Sequence, residues 1–422
     1  MNLIVLTVAY MKDRALGTAL NLLLMALGVG TIVVLILFGG QFNDRMTGDA
    51  RGIDLVVGAK GSPMQLILSA VYQADIPTGN IPLEEVDKLR RNRFVKKAIP
   101  LAMGDSFQRF RIVGTEDSYA EHFGAELAAG RLWRAKTMEA TVGSAVAAAT
   151  GIQVGQNFAG SHGLLGDGHG HMDHPYTVVG ILKPTGRVID RLVLTSIEAV
   201  WNVHGDPAVE ADHDDDHDEH HDEHGDEHDH EPAAAAVEKP RNREVTSVLI
   251  AYTSPIATAT LPRAINRETA LQAASPAFEL ARLFALVGVG VETLRGFGFL
   301  LIGAAALSVF IALYNAMQER RYDLAVMRSL GAPKAKLFGQ VLLEGLLMAG
   351  AGTLLGLLLG HGLTHLLGQT VAEARAMGLT GLDWRPAEYY IFALGLGVGA
   401  VAAIMPALQA FKVDIAQTLM SK

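Results

Sequence analysis

Four stretches of the chain lack the mixing of charged and apolar positions that a water-facing fold needs. Residues 15–43 carry no charged side chain around the run LLLMALGVGTIVVLILF, and residues 296–318 are also uncharged. Residues 337–370 are apolar at their centre, where only Glu344, His361 and His365 interrupt the run. Residues 389–411 are uncharged and hold Pro406 near their end. A bilayer core takes about 20 apolar residues of helix. Helix is required because an unpaired backbone group in lipid costs several kcal/mol. Each stretch therefore predicts a transmembrane helix. The apolar run of the first exceeds the roughly 7–15 residues of a signal-peptide core and has no small-residue cleavage pattern after it, so an uncleaved anchor is expected.

The segment between the first two spans has a different rhythm. ArgPheArgIleValGly at 109–114, TyrThrValValGlyIleLeu at 176–182, ArgLeuValLeuThr at 191–195 and SerValLeuIleAlaTyr at 247–252 alternate or run apolar, as strands do. ProLeuGluGluValAspLysLeuArg at 82–90 has a helical pattern, and residues 277–293 predict a stalk helix leading into the second span. The fold class expected is membrane α-helical, with four transmembrane helices and a mixed α/β extracytoplasmic domain inserted between helices 1 and 2. Arg90, Arg91, Arg93, Lys96 and Lys97 cluster after the 82–90 helix. Without interleaved aromatic residues they predict a solvated helix end and no nucleic-acid partner.

Composition agrees with a membrane protein. Half of the 422 residues are hydrophobic and 19% are charged, below the roughly 25% of soluble domains. Cysteine is absent, which excludes disulfides, thiolate metal sites and a cysteine nucleophile. The net charge of −9 is misleading, because residues 206–231 hold 14 Asp and Glu and no Lys or Arg, leaving the rest net basic. Lysine and arginine flank three ends: Lys12 and Arg14; Arg320, Arg321, Arg328, Lys334 and Lys336; Lys412 and Lys422. In the loop between spans three and four, Arg375 and Arg385 are offset by Glu373, Asp383 and Glu388. The positive-inside bias predicts segments 1–14, 319–336 and 412–422 in the cytoplasm, and 44–295 and 371–388 outside.

Two histidine-rich segments stand out. Residues 204–230 alternate His with Asp and Glu, including His213, His217, His220, His221, His224, His228 and His230. Residues 162–174 carry His162, His169, His171 and His174 among glycines. Neutral imidazole and carboxylate are ligands for Zn²⁺, Ni²⁺ and Cu²⁺. So many overlapping sets predict weak, exchanging sites and no tightly bound cofactor; an acidic solvated spacer is the alternative.

Small residues recur at helix-packing spacing in Gly352, Gly356 and Gly360, and in Gly395 and Gly399. That spacing predicts close helix contact, within the chain or across a dimer. His361 and His365 share one face of span three and suit interhelical hydrogen bonds, or a metal pair. Glu344 is an intramembrane carboxylate near a span edge, open to a functional or a solvated role. No GxxxxGK[ST] loop, HExxH or GxSxG motif occurs, and GlyAlaLysGlySer at 58–62 lacks the phosphate-loop spacing. No ladder of intramembrane charges suggests an ion-coupled carrier.

The stretch AsnAlaMetGlnGluArgArgTyrAspLeuAlaValMetArgSerLeuGlyAlaProLys at 315–334 resembles the signature that follows the second span of FtsX-type ABC transporter permeases, the class containing MacB and the lipoprotein-releasing LolC/LolE subunits. The matching positions are Glu319, Arg320, Asp323, Leu324, Arg328, Leu330, Gly331 and Ala332. Residues 113–123, 126–133 and 176–182 are similar to that family's MacB-like periplasmic domain. The histidine-rich insertions are a departure, and they bear on the substrate. The resemblance implies a non-catalytic lever subunit, working with a cytoplasmic ABC ATPase dimer and a second permease copy in an inner membrane. A periplasmic or outer-membrane partner is a further implied contact. Glu319, Arg320, Arg321, Asp323, Leu324, Arg328 and Gly331 would then form the ATPase-coupling surface. Independently, a short charged turn with apolar Leu324, Val326 and Met327 suits docking. The histidine-rich segments keep two other readings open: a metal-ion carrier with a capture loop, and a membrane-anchored metal sensor.

Overall fold

The computed structural model describes residues 3–161, 174–204, 243–371, 374–375 and 377–411. The chain begins with α1 (Leu3–Asp13) and α2 (Ala15–Ala50), then β1 (Leu55–Ala59), α3 (Pro63–Ala70), β2 (Ile81–Pro82) and α4 (Leu83–Arg90). Next come β3 (Val95–Phe107), β4 (Phe110–Gly114), α5 (Asp117–His122), β5 (Leu127–Gly130), β6 (Glu139–Val142) and α6 (Ser144–Thr150). β7 (Asn157–Phe158), β8 (Tyr176–Leu182), β9 (Leu192–Thr195), α7 (Ile197–His204), β10 (Glu244–Val245) and β11 (Ser247–Tyr252) follow. The chain continues through α8 (Ala257–Glu268), β12 (Leu271–Ala274), α9 (Pro276–Glu319), α10 (Arg321–Ser329), α11 (Lys334–Thr370) and α12 (Ala387–Phe411). Two units result: Met1–Arg45 with Leu283–Lys422, and Met46–Arg282.

The helical unit contains the four apolar stretches. α2, α9, α11 and α12 are each long and apolar enough to cross a membrane. Apolar clusters join them: Met25, Val29 and Val33 of α2 meet Ile302 and Ala305 of α9 and Leu357 of α11. Val309 and Leu313 of α9 pack with Met348 of α11 and Ala402 and Ala403 of α12. Glycine lets the backbones close. A Cβ on Gly352 would come within 2.8 Å of the Met25 Cβ, and one on Gly360 within 2.6 Å of the Val33 Cβ. Gly395 and Gly399 of α12 face Thr353 and Ala349 of α11 in the same way. The GxxxG steps thus lie at contacts within this chain. Asn21 and Ser308 add a 2.5 Å hydrogen bond between α2 and α9.

The other unit is a mixed α/β domain between the first and second membrane helices. Its sheet runs β12-β1-β11-β3-β4-β9-β6-β8-β5, with β7 on β8; β2 and β10 form a separate pair. β4 pairs with β9, and β6 with β8, in parallel; the other neighbours are antiparallel. β8 shows strict alternation of buried and half-buried residues, as its sequence pattern predicts. One apolar core gathers Leu55, Val57, Val86, Val248, Ile265 and Leu271; a second gathers Ile112, Val142, Val146, Tyr176, Val178 and Val193. The strand β3 reaches both, pairing with β11 through its first half and with β4 through its second.

Arg90, Arg91, Arg93 and Lys96 are exposed, as a solvated helix end requires, but the basic cluster runs past the helix. Arg90 and Arg91 do close α4, but Lys96 and Lys97 lie on β3. Arg90 bonds Glu116 at 2.6 Å and the Ala98 carbonyl at 3.2 Å; Lys97 donates to the Ser118 carbonyl at 3.0 Å. The cluster stitches α4 and β3 to the start of α5. Lys60 of the 58–62 stretch donates to the Asn266 carbonyl at 2.8 Å, and Ser62 caps α3.

Candidate coupling site and an interhelical polar cluster

The segment after α9 is a helix, not the turn its sequence suggests. α10 spans nine residues and carries Arg321, Asp323, Leu324 and Arg328. Its end is set by glycine. The Gly331 N–H reaches the Arg328 carbonyl and the Ala332 N–H reaches the Met327 carbonyl, each at 3.0 Å. This is the Schellman pattern, and Gly331 takes the left-handed φ of +94° that it needs. Pro333 then caps α11. Ala325 is fully buried with Met317, Leu337, Val341, Ala407 and Ala410, and Met327 packs on the same cluster. Met327 therefore serves this chain's own interior, whereas Leu330 is 82% exposed.

The charged residues before α10 are committed locally. Glu319 ends α9 and pairs with Arg14. Arg320 lies 3.6 Å from the Glu344 carboxylate and stacks over the Tyr10 ring at 3.5 Å. Glu344 is buried, at 6% exposure, so the ion pair settles its environment as interior. α1, α9 and α11 are thereby joined around Arg320. Tyr10 and α1 carried no signal in the sequence beyond an apolar N-terminal stretch. Lys334, at the start of α11, sits over the Phe411 ring at 5.5 Å.

At the other end of α11 a second polar group is built. The His361 Nδ1 is 2.6 Å from the Gly381 carbonyl, and Nε2 is 2.7 Å from Glu388 Oε2. Glu388 is wholly buried, and its other oxygen accepts the Arg385 N–H at 2.9 Å. Arg385 also bonds Asp44 at 2.8 Å and Asp383 at 2.6 Å. Gln41 and Thr380 exchange bonds of 2.7 and 2.9 Å. α2, α11, α12 and the 379–386 segment meet here. His365 does not join His361; its Nε2 lies 2.9 Å from Gln369. Sequence reasoning counted Glu388 only as a loop charge. Its place beside the first residue of a membrane helix was the available signal.

Of the histidines proposed for metal, His162, His169, His171, His213, His217, His220, His221, His224, His228 and His230 lie outside the described residues. His174 is described and exposed. Among the described residues no group of three or more His, Asp or Glu is arranged to hold a metal ion.

In the α/β domain, Arg187 donates to the Gly48 carbonyl at 2.5 Å and lies over the Phe123 ring at 4.4 Å. The Val188 N–H reaches Asp49 at 2.8 Å, and the Tyr72 hydroxyl donates to the Met46 carbonyl at 3.0 Å. These bonds hold the last turn of α2 in the domain. Burial pushes His122 below its ordinary value, with the Arg187 and Lys97 charges acting in the same direction. Its Nε2 has no hydrogen-bond partner among the described residues.

The architecture defines a membrane protein with four apolar helices and a mixed α/β domain between the first two. Residues 295–415 match the family model of the FtsX-like permease C-terminal region, and residues 18–226 match that of the MacB-like periplasmic core domain. The chain belongs to the FtsX-type ABC transporter permeases that carry a MacB-like periplasmic core domain. It is 27% identical over 174 residues to the macrolide export ATP-binding/permease protein MacB of Hyphomonas neptunium. That match covers 37% of this chain and 26% of that protein, so the chain spans about a quarter of the relative's length. Two solved structures are also similar. The periplasmic region of MacB from Actinobacillus actinomycetemcomitans is 11% identical with a TM-score of 0.33, covering 56% of this chain and 97% of that one. The extracellular domain of the noncanonic ABC-type transporter YknZ from Gram-positive bacteria is 12% identical with a TM-score of 0.30, covering 52% and 98%.

Proposed function

We propose that the chain is the permease subunit of an ABC transporter complex in an inner membrane, passing the ATP-driven motion of a separate ATPase to its α/β domain. The observation that carries this reading is α10. It is a short helix set between two membrane helices, stopped by a Schellman turn, within the FtsX-like match. Its exposed edge, with Leu330 and Tyr322, offers apolar surface to a partner groove. The lysine and arginine bias supports a cytoplasmic location for this segment and both termini, with residues 44–295 outside. An ATPase dimer docks on α10, and a second permease copy completes the complex. The work performed is export, lipoprotein release or activation of a partner; the chain itself is not the catalyst.

The absence of cysteine makes the test direct. Single cysteines at Ser329 and at Gly124 are labelled in intact cells with a membrane-impermeant maleimide. The reading expects Gly124→Cys to label and Ser329→Cys to label only after lysis; the reverse overturns it. Crosslinking from Ser329→Cys then expects an ABC ATPase as the product. The transition-metal reading of residues 162–174 and 204–230 rests on composition alone. Calorimetric titration of the full chain with Zn²⁺ tests it, and absence of heat removes it.

A further inference from the structure

His361 has an acceptor at each ring nitrogen. A backbone carbonyl accepts only, so the Nδ1 facing Gly381 at 2.6 Å must carry hydrogen. The Nε2 faces a carboxylate oxygen of Glu388 at 2.7 Å, and that short bond also needs a hydrogen. A neutral imidazole beside an ionised carboxylate has one hydrogen too few. The pair satisfies both contacts only when it holds one additional proton, as imidazolium with carboxylate or as imidazole with carboxylic acid.

The surroundings fit this count. Glu388 is fully buried, and its second oxygen accepts the backbone N–H of Arg385. The Arg385 guanidinium is turned to Asp44 of α2 and to Asp383. The charged groups around His361 are thus Glu388 from α12 and Asp383 from the preceding segment, with Arg385 and Asp44 behind them. His365, one turn along α11, is bonded to Gln369. Carboxylates outnumber cations in this group.

We propose that His361 and Glu388 form a one-proton site, held as imidazolium with carboxylate, that clamps α11 to the start of α12. With the proton present, α11, the Gly381 backbone and α12 are joined by two hydrogen bonds. Without it, a lone pair faces an oxygen and one bond is lost. The packing of these spans then responds to the pH at that end of the helices, independently of any ATPase.

The chain carries its own reporter. The Trp384 indole stacks on the His361 ring, with centroids 5.4 Å apart and planes 11° from parallel. An imidazolium quenches a stacked indole more strongly than neutral imidazole does. Emission of the full chain in lipid nanodiscs is recorded from about pH 5 to about pH 9, the range in which histidine changes charge. The spectrum of Trp384→Phe is subtracted, removing Trp133 and Trp201. The expected result is a one-proton rise in Trp384 emission with increasing pH, lost in His361→Gln and moved to lower pH in Glu388→Gln. A flat wild-type difference overturns the proposal, as does a titration that survives His361→Gln. Failure of either variant to fold leaves the wild-type difference as the deciding measurement.

Discussion

Gly356 of α11 lies so near Val29 of α2 that a Cβ added to it would come within 2.6 Å of the Val29 Cβ. Neither helix backbone has slack there, because Gly352 and Gly360 make the same approach one turn away on each side. Gly356→Ala is expected to lower stability by about 1–3 kcal/mol through overpacking, and Gly356→Leu to separate the helices. Gly362 faces open space, and Gly362→Ala is expected to change stability by less than about 1 kcal/mol. Denaturant titration in mixed micelles compares the three.

The β3–β4 hairpin has a two-residue loop between the paired Phe107 and Phe110. Both loop residues, Gln108 and Arg109, have positive φ, at +46° and +73°. Two positive φ angles are the mark of a type I′ turn, where Asn-Gly is the favoured pair. Replacing Gln108-Arg109 by Asn-Gly is expected to stabilise the α/β domain by about 1–2 kcal/mol, the usual cost of left-handed backbone at ordinary residues. Hydrogen exchange at β4 amides is expected to slow, and faster exchange would contradict the strain.

The same hairpin shows where the sequence was readable. Its strand pattern begins at Arg109, yet the strand starts at Phe110, because turn geometry leaves no mark in hydrophobic alternation. The four spans were legible because lipid excludes charge, a property visible in one window of sequence. β8 was legible because its two faces differ in burial. β1 was not: LeuValValGlyAla is short, and it gains its partners from β11 and β12, about 200 residues away in the chain. β3 was masked by Lys96 and Lys97, which read as a helix end. At the candidate sites the residue types were visible but their partners were not. Glu388 gains meaning only beside His361, and Arg320 only beside Glu344 and Tyr10.

Acid is expected to weaken the α/β domain through His122. Burial holds this imidazole below its ordinary value, so the folded state favours the neutral form. The unfolded chain binds the proton first as pH falls. The contribution is therefore fully present above about pH 6.5, and it is lost as pH drops through the lower folded value. His122→Gln is expected to flatten this part of the pH profile of thermal unfolding. A wild-type profile that rises on acidification through the same range would show the imidazole is not held neutral.

The signature segment is expected to divide into an inward and an outward part. Arg320 is half-buried between the Glu344 carboxylate and the Tyr10 ring, so its guanidinium is engaged within the chain. Leu330 is 82% exposed at the end of α10, beyond a helix whose Ala325 and Met327 are already packed inward. Arg320→Gln leaves Glu344 buried without its cation, a change that costs about 3–5 kcal/mol where a buried pair is broken. It is expected to lower thermal stability in detergent with no ATPase present. Leu330→Asp removes only surface that this chain does not use, so its melting temperature is expected to match the parent within error. Its loss is expected instead in co-purification with the ATPase and in stimulation of ATP hydrolysis. If Leu330→Asp binds and stimulates as the parent does, α10 is not the docking element. If Arg320→Gln melts unchanged, the interior ion pair does not brace α1, α9 and α11. The two variants thus separate a residue that braces these helices from one proposed to meet the ATPase.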